Sequence, residues 1–292
     1  MYELIQAGEN TYYIDCPSKI GLCRTEAGVY LIDSGSDKDA GKKALKILEQ
    51  NGWPLLGVLA THAHADHIGG CRYLQAQTGC KVFAHEIESA FAAYPILEPA
   101  FLYGGYPPRD LRRKFLMAQD SRISPFSDPD FPGEIQPIPL PGHCFSQVGF
   151  RTPDSVVFLA DCVASPATLE KYALTFLWDV AAYRKTLDQV EAMEAVLFIP
   201  AHADACADAG DLVRINREKV DQAAELLMEL CREPSSFEKI LQQVFRRCGL
   251  SMSFEQYALV GSTVRSYLAF LRDAGRLEPV FQEETLLWRA VQ

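Results

Sequence analysis

Residues 61–67 read Thr61-His62-Ala63-His64-Ala65-Asp66-His67, which places three imidazoles and a carboxylate within six consecutive positions. The apolar run Leu55-Leu56-Gly57-Val58-Leu59-Ala60 precedes them and the pair Gly69-Gly70 follows. A short apolar run bounded by turn residues predicts a buried strand, so the histidines ride on the loop at its carboxyl end. The chain has six histidines, and half of them stand in this one loop. A lone histidine usually ends as a hydrogen-bonded core residue. Three packed this closely are better explained as metal ligands, because imidazole and carboxylate are donors that zinc, iron and manganese accept.

The flanking sequence predicts an α/β chain. Tyr2–Gln6, Thr11–Asp15, Ile20–Thr25 and Val29–Asp33 are aromatic and β-branched runs separated by turn residues, and read as strands. Ala44, Ile47 and Leu48 then fall at helical spacing after Asp37 or Asp39, either of which can cap a helix that Gly52 and Pro54 stop. A helix is expected to begin within Asp66–Gly70 and run to Gly79, followed by a strand at Lys81–Ala84. Residues 93–133 are broken by seven proline or glycine sites and are expected to form an irregular lid, with one helical piece near Leu111–Gln119. Strands resume at Ile135–Leu140, Val148–Thr152, Val156–Leu159 and Val196–Pro200, with a helix over Tyr183–Ala195. Three helices follow, Leu212–Cys231, Ser236–Cys248 and Glu255–Ala274, and then a small hairpin, Arg276–Phe281 with Thr285–Ala290.

Three more residues sit just past apolar runs, as the histidine loop does. His143 follows Pro141-Gly142, Asp161 follows Val156–Ala160, and His202 follows Leu197–Ala201. The order HxHxDH, PGH, strand-Asp and P-x-H resembles the metallo-β-lactamase superfamily over about residues 1–205, and Leu31-Ile32-Asp33-Ser34-Gly35 resembles a turn of that family. The resemblance implies a four-layer αβ/βα sandwich with its site between the loop ends of the two sheets. Carried over residue by residue, it assigns His62, His64 and His143 to one divalent metal ion and Asp66, His67 and His202 to a second, with Asp161 bridging. Zinc is the first expectation, with iron or manganese as alternatives. Asp33 is expected to brace the histidine loop, and His85, the sixth histidine, to be a supporting or structural imidazole. True β-lactamases of this fold generally carry cysteine where Asp161 stands, so the resemblance points to the non-lactamase branches, such as the glyoxalase II-like and β-lactamase-like protein 2-like hydrolases. Cys162, Cys144 and Cys206, near expected ligands, are read as structural thiols.

The implied activity is metal-dependent hydrolysis of a small ester, thioester or lactone. Two metals lower the pKa of a bridging water toward about 7, and Asp66 orients the resulting hydroxide as the catalytic carboxylate. Phe101, Tyr103 and Tyr106 in the lid are candidates for an aromatic wall, and Arg109, Arg112, Arg113 and Lys114 for an anion clamp; the bland alternatives are lid packing and a solvated face. Two alternatives share the fold: an endoribonuclease-type phosphodiesterase and a mononuclear-iron persulfide dioxygenase.

Residues 1–210 are taken as the catalytic domain and 211–292 as a helical, winged-helix-like domain, whose end resembles the tail of the β-lactamase-like protein 2 type. That tail carries eleven Lys/Arg against twelve Asp/Glu, and the whole chain has a net charge of −10. Neither gives the dense cationic face that nucleic acid demands, so the tail is read as a cap, a wall of the site mouth, or a homodimer contact. Nine scattered cysteines without CxxC, together with no evident secretory signal or spanning segment, predict free thiols and a cytoplasmic location with no membrane partner.

Overall fold

The structure is a computed structural model, which describes residues 2–291. β1 (Glu3–Gln6), β2 (Thr11–Asp15), β3 (Ile20–Arg24) and β4 (Val29–Ile32) form an antiparallel meander. Helix α1 (Lys38–Gln50), capped by the Asp37 carboxylate, carries the chain to β5 (Leu55–Leu59), which lies parallel to β4. Then come α2 (Ala65–Ile68), α3 (Cys71–Thr78), β6 (Lys81–Phe83), α4 (Glu86–Ala93), α5 (Leu97–Tyr103) and β7 (Ile123–Ser124). These seven strands make one sheet in sequential order. β8 (Gln136–Pro139), β9 (Val148–Arg151), β10 (Val156–Ala164) and β11 (Leu197–His202) make a second, ordered β11-β10-β9-β8, with α6 (Pro166–Tyr172) and α7 (Val180–Glu191) between the last two strands.

Strand alternation explains the layers. In the first sheet Ile20, Leu22, Leu31, Val58 and Val82 face outward, onto Ala44 and Leu48 of α1 and Leu74 of α3. Their neighbours Cys23, Ile32, Leu59 and Phe83 face inward, against Val156, Phe158 and Ile199 of the second sheet. Val157, Leu159 and Phe198 point to the far side of that sheet, onto helices. Successive side chains of a strand point to opposite faces, so each strand feeds two cores, and the order of layers is helix, sheet, sheet, helix.

The C-terminal part comprises α8 (Gly210–Leu230), β12 (Ser235–Ser236), α9 (Phe237–Arg247), α10 (Phe254–Asp273), β13 (Leu277–Gln282) and β14 (Thr285–Ala290), with a small sheet ordered β12-β14-β13. The core under the second sheet continues without a break into Val220, Leu227, Leu241, Val264 and Leu271. No helix of the described residues is long and apolar enough to cross a membrane.

Four local expectations change. The helix after the histidine loop is two helices, broken at Gly69-Gly70. A Cβ on Gly69 would stand 2.3 Å from the Ser36 carbonyl carbon, and one on Gly70 2.5 Å from the Ser34 oxygen. The break lets the turn after β4 press against the loop. The lid's helix is α5, not Leu111–Gln119, where turns form instead. Pro99 falls in the first turn of α5, where a missing N–H costs nothing, and Gly104 at φ 78° closes its end. The far end of the lid stretch joins the first sheet as β7, pairing with β6. Asp161 lies within β10, not beyond it: the register shifts around Ala160, at φ 52°, and an irregularity of this kind re-aims the side chain that follows.

Candidate metal centre

Loops from both sheets bring seven expected ligands together. The donor atoms of His62, His64, His143 and Asp161 lie within 4.8 Å of one another, as do those of Asp66, His67 and His202. Asp161 connects the two groups: its oxygens stand 3.1 Å from His67 Nε2 and 3.4 Å from both His143 Nε2 and His202 Nε2. Asp66 Oδ2 is 3.2 Å from His202 Nε2 and 3.6 Å from His67 Nε2.

The outer side of each imidazole fixes which nitrogen faces inward. His143 Nδ1 lies 3.0 Å from the Phe176 carbonyl and His202 Nδ1 3.0 Å from that of Pro17. A carbonyl only accepts, so both rings donate there, and in its neutral form each presents the lone pair on Nε2. His67 Nδ1 donates to Asp33 Oδ2 at 2.8 Å. Thr61 Oγ1 gives its one proton to Asp33 Oδ2, so His62 Nδ1, 3.0 Å away, must donate to Thr61. His64 is turned the other way, with Nε2 facing Glu98 Oε1 at 3.6 Å and Nδ1 inward. The consequence is crowded: lone pairs on His62 Nε2 and His143 Nε2 both stand 3.0 Å from His64 Nδ1. A single proton cannot satisfy that trio, whereas one cation at its centre can. His67 Nε2 and Asp161 Oδ1 stand 3.1 Å apart without a hydrogen bond between them, and neither has another hydrogen-bond partner. The residues present therefore fit divalent metal, in the pattern whereby outer hydrogen bonds orient ligating rings.

In the metal-free cluster the charges compensate one another. Burial pushes the Asp161 carboxyl up, but His202 and His67 outweigh it and hold it well below the usual range. Burial is outweighed at Asp66 too, by His67 and His202. Asp161 raises His202 to about 10. Burial holds His64 and His143 down at about 4.

Asp33, at φ 64°, accepts from Thr61 N, Thr61 Oγ1 and His67 Nδ1, each at 2.8 Å. The neighbouring Ser34 N donates to the His67 carbonyl at 2.7 Å. The turn after β4 thus grips both ends of the histidine loop.

The Metallo-beta-lactamase superfamily model matches residues 13–202 of the chain. The chain belongs to this superfamily. Curated relatives that it resembles include a hydroxyacylglutathione hydrolase of Cereibacter sphaeroides, 32% identical over 111 residues, and one of Rhodopseudomonas palustris, 34% identical over 87 residues. The matched stretches cover 38% and 27% of this chain and span about a third of those relatives, 34% and 33%. Among solved structures, a beta-lactamase domain protein from Burkholderia ambifaria aligns with a TM-score of 0.73 at 18% identity, over 99% of this chain and 94% of that one. A metallo-beta-lactamase family protein from Thermus thermophilus gives 0.72 at 18% identity, over 97% and 99%. These likenesses show the fold, and their coverage extends it through the C-terminal helices.

Within this superfamily fold, other expectations fall elsewhere. His85 does not reach the cluster; it stacks on Phe126, with ring centroids 5.2 Å apart, because the chain turns into α4 at that residue. Tyr103 lies beside a separate groove, facing Phe254 at 6.0 Å, and the exposed Tyr106 ring holds Arg112 through its hydroxyl. Arg109 is solvent-exposed. None of the three lines the cavity over the cluster, which takes Lys114, Phe115 and Leu116 from the lid.

Three contributors carried no motif. Ser18 Oγ donates to Asp66 Oδ2 at 2.8 Å. Glu88 accepts from Ala63 N at 2.9 Å and Ser146 N at 3.0 Å, tying the His62–His64 loop to the His143 loop. Glu98 backs His64. Their sequence signal is faint: Glu88 shares a helix face with Phe91 and Ala92, and Glu98 with Leu102, which is an unusual place for a carboxylate.

Two expected results arise here. Asp33→Ala leaves His67 Nδ1 and the two Thr61 donors without an acceptor, and lowers metal affinity about 10- to 100-fold, as losing an orienting partner does; competition with a chelator dye measures it, and unchanged affinity would remove Asp33 from the site. Burial, with help from Glu88, raises Glu98 from 4.5 to about 8. The folded chain then keeps a proton that the unfolded chain releases, so this stabilisation is full below pH 4.5 and is lost as pH rises through 8. Glu98→Gln removes that dependence, so the metal-free variant loses less stability than the metal-free parent between about pH 5 and about pH 9 in urea unfolding. Identical losses would contradict a protonated Glu98.

Proposed function

We propose that the protein is a binuclear metal-dependent hydrolase of small esters, thioesters or lactones, with zinc as the first expected metal. The observation that supports this most is the convergence of His62, His64 and His143 ring nitrogens, joined through Asp161 to Asp66, His67 and His202. Two bound divalent ions would acidify a water molecule and polarise the carbonyl oxygen under attack. Asp66 has the placement for proton transfer. Its Oδ2 is engaged by Ser18 and His202, and its partly exposed carboxylate borders the cavity. Its other oxygen is left to accept a proton from the attacking water and pass it to the leaving alkoxide or thiolate. Asp161, partly buried, and Asp33, buried, keep the imidazoles aimed while this occurs.

The cavity over the cluster has a volume of about 710 Å³, within the range of small-molecule sites. Asp37, Asp66, Asp161 and Glu98 line it against two lysines, Lys114 and Lys171, an excess of carboxyl groups that disfavours a nucleic-acid backbone. Residues 211–292 are proposed as the cap of this site, because Gln256, Leu259 and Thr263 of α10 form part of its wall. The hydroxyacylglutathione hydrolase name of the relatives fits a thioester, but their match is partial. The test is a panel of thioesters, esters and lactones offered to protein stripped by chelator and reloaded with zinc. Turnover that appears only on reloading is expected, and none on any member would refute the reading.

A further inference from the structure

The cavity above the metal cluster is not uniform. From the cluster outward its first wall is Phe176, whose ring centroid lies 5.4 Å from that of His64 and 5.6 Å from that of His143. Phe176 packs with Leu116 of the lid and Leu259 of α10 in one apolar cluster. Val163, Leu174 and Val260 continue the lining. Apolar side chains therefore line one side of the cavity from the imidazoles to the C-terminal helices.

Four of the polar groups along this arm are already occupied, while Lys171, Thr175 and Gln256 border the cavity without a side-chain hydrogen bond among the described residues. Asn216 donates to the carbonyls of Ala164 and Leu212 at 2.9 and 2.8 Å, and accepts from Ala164 N at 3.1 Å. Thr263 Oγ1 donates to the Leu259 carbonyl at 3.1 Å, and Thr168 Oγ1 pairs with Ser165 Oγ at 2.9 Å. The Tyr183 hydroxyl turns to Asn216 Oδ1. A sugar, peptide or nucleotide reaching past Phe176 would meet Asn216, Thr263, Thr168 and Tyr183 with their hydrogen bonds already made, and polar groups that lose water there without a new partner are costly to bury. A methylene chain loses nothing and gains burial.

Resting on the hydrolase reading above, we propose that the substrate is an acyl ester or thioester with an unbranched hydrocarbon acyl chain, its carbonyl at the cluster and its chain along the Phe176–Leu259–Val260 arm. The C-terminal helices would then set acyl specificity by closing the arm. Hydrolysis adds water across the acyl carbon–oxygen or carbon–sulfur bond, releasing a carboxylate from the arm and an alcohol or thiol through the mouth.

The experiment is a homologous series, acetyl to decanoyl, presented as p-nitrophenyl esters and as N-acetylcysteamine thioesters to the zinc-loaded protein. kcat/KM is expected to climb up to about fourfold for each added methylene until the arm is full, the equivalent of about 0.8 kcal/mol per buried CH₂. Leu259→Trp, at a half-exposed position on the wall, should cut the decanoyl-to-acetyl ratio about tenfold or more by taking the room of roughly two methylenes. A panel that is hydrolysed with flat or falling dependence on chain length overturns the proposal and leaves the hydrolase standing. Calorimetric binding of decanoate and acetate to the same zinc-loaded protein separates the two ideas. If nothing is hydrolysed, yet decanoate binds more tightly than acetate and Leu259→Trp abolishes the difference, the hydrolase reading fails and the assignment of the arm to a hydrocarbon chain is upheld. With neither turnover nor chain-dependent binding, both fall.

Discussion

Asp66→Asn is expected to lower kcat about a thousandfold on the best substrate while KM changes little, within the range that loss of a positioned acid–base group produces. Asparagine keeps the size of the side chain and can still face Ser18 and His202, so the loop and its neighbours stay in place. What it cannot do is accept and return a proton. The amide also removes the negative charge that, with Asp161 and Asp33, offsets the buried His67, so the metal of the Asp66–His67–His202 group should be held more weakly. Steady-state kinetics at saturating zinc isolates the proton-transfer loss from the metal loss. Full turnover in this variant would exclude Asp66 from the chemistry.

Asp161→Ala should have an equally large effect by another route. Its partly buried carboxylate lies beside imidazoles of both groups, His143 on one side and His67 with His202 on the other. Removing it would delete the proposed shared ligand and leave His67 without the strongest of the carboxylates that offset it. Metal content is expected to fall from two ions per chain to one or none, with affinity down more than about a hundredfold, beyond what an outer partner alone costs. Elemental analysis after gel filtration reads this directly. Two retained ions would show that Asp161 does not bridge.

Much of this site is legible in the sequence, because its residues carry chemistry in their own side chains and stand at the ends of apolar runs. The strands are legible for a related reason: period-two burial, as in Val29-Tyr30-Leu31-Ile32, imprints two cores on one run of sequence. What cannot be read there depends on tertiary contact. The break at Gly69-Gly70 is imposed by the turn at Ser34–Ser36, distant in sequence. Pro99 reads as a helix breaker unless its place in a first turn is known. Glu88 is one of two glutamates in the first turn of α4 and Glu98 a lone carboxylate between prolines, and only the fold reveals that one ties two loops and the other backs His64. The lid misleads in the same way. Tyr103 and Tyr106 have the composition of a substrate wall, but successive turns after Pro108 bring Phe115 and Leu116 over the cluster instead.

The central claim is that these seven side chains hold two metal ions that act together on a hydrolysable bond. It is tested most directly by titrating chelator-stripped protein with zinc while following both bound metal and turnover of a thioester in the same samples. Binding that saturates at two ions per chain, with activity complete only as the second is filled, is the predicted result. Saturation at one ion with full activity, or two ions with no hydrolysis of any ester, thioester or lactone, would contradict it.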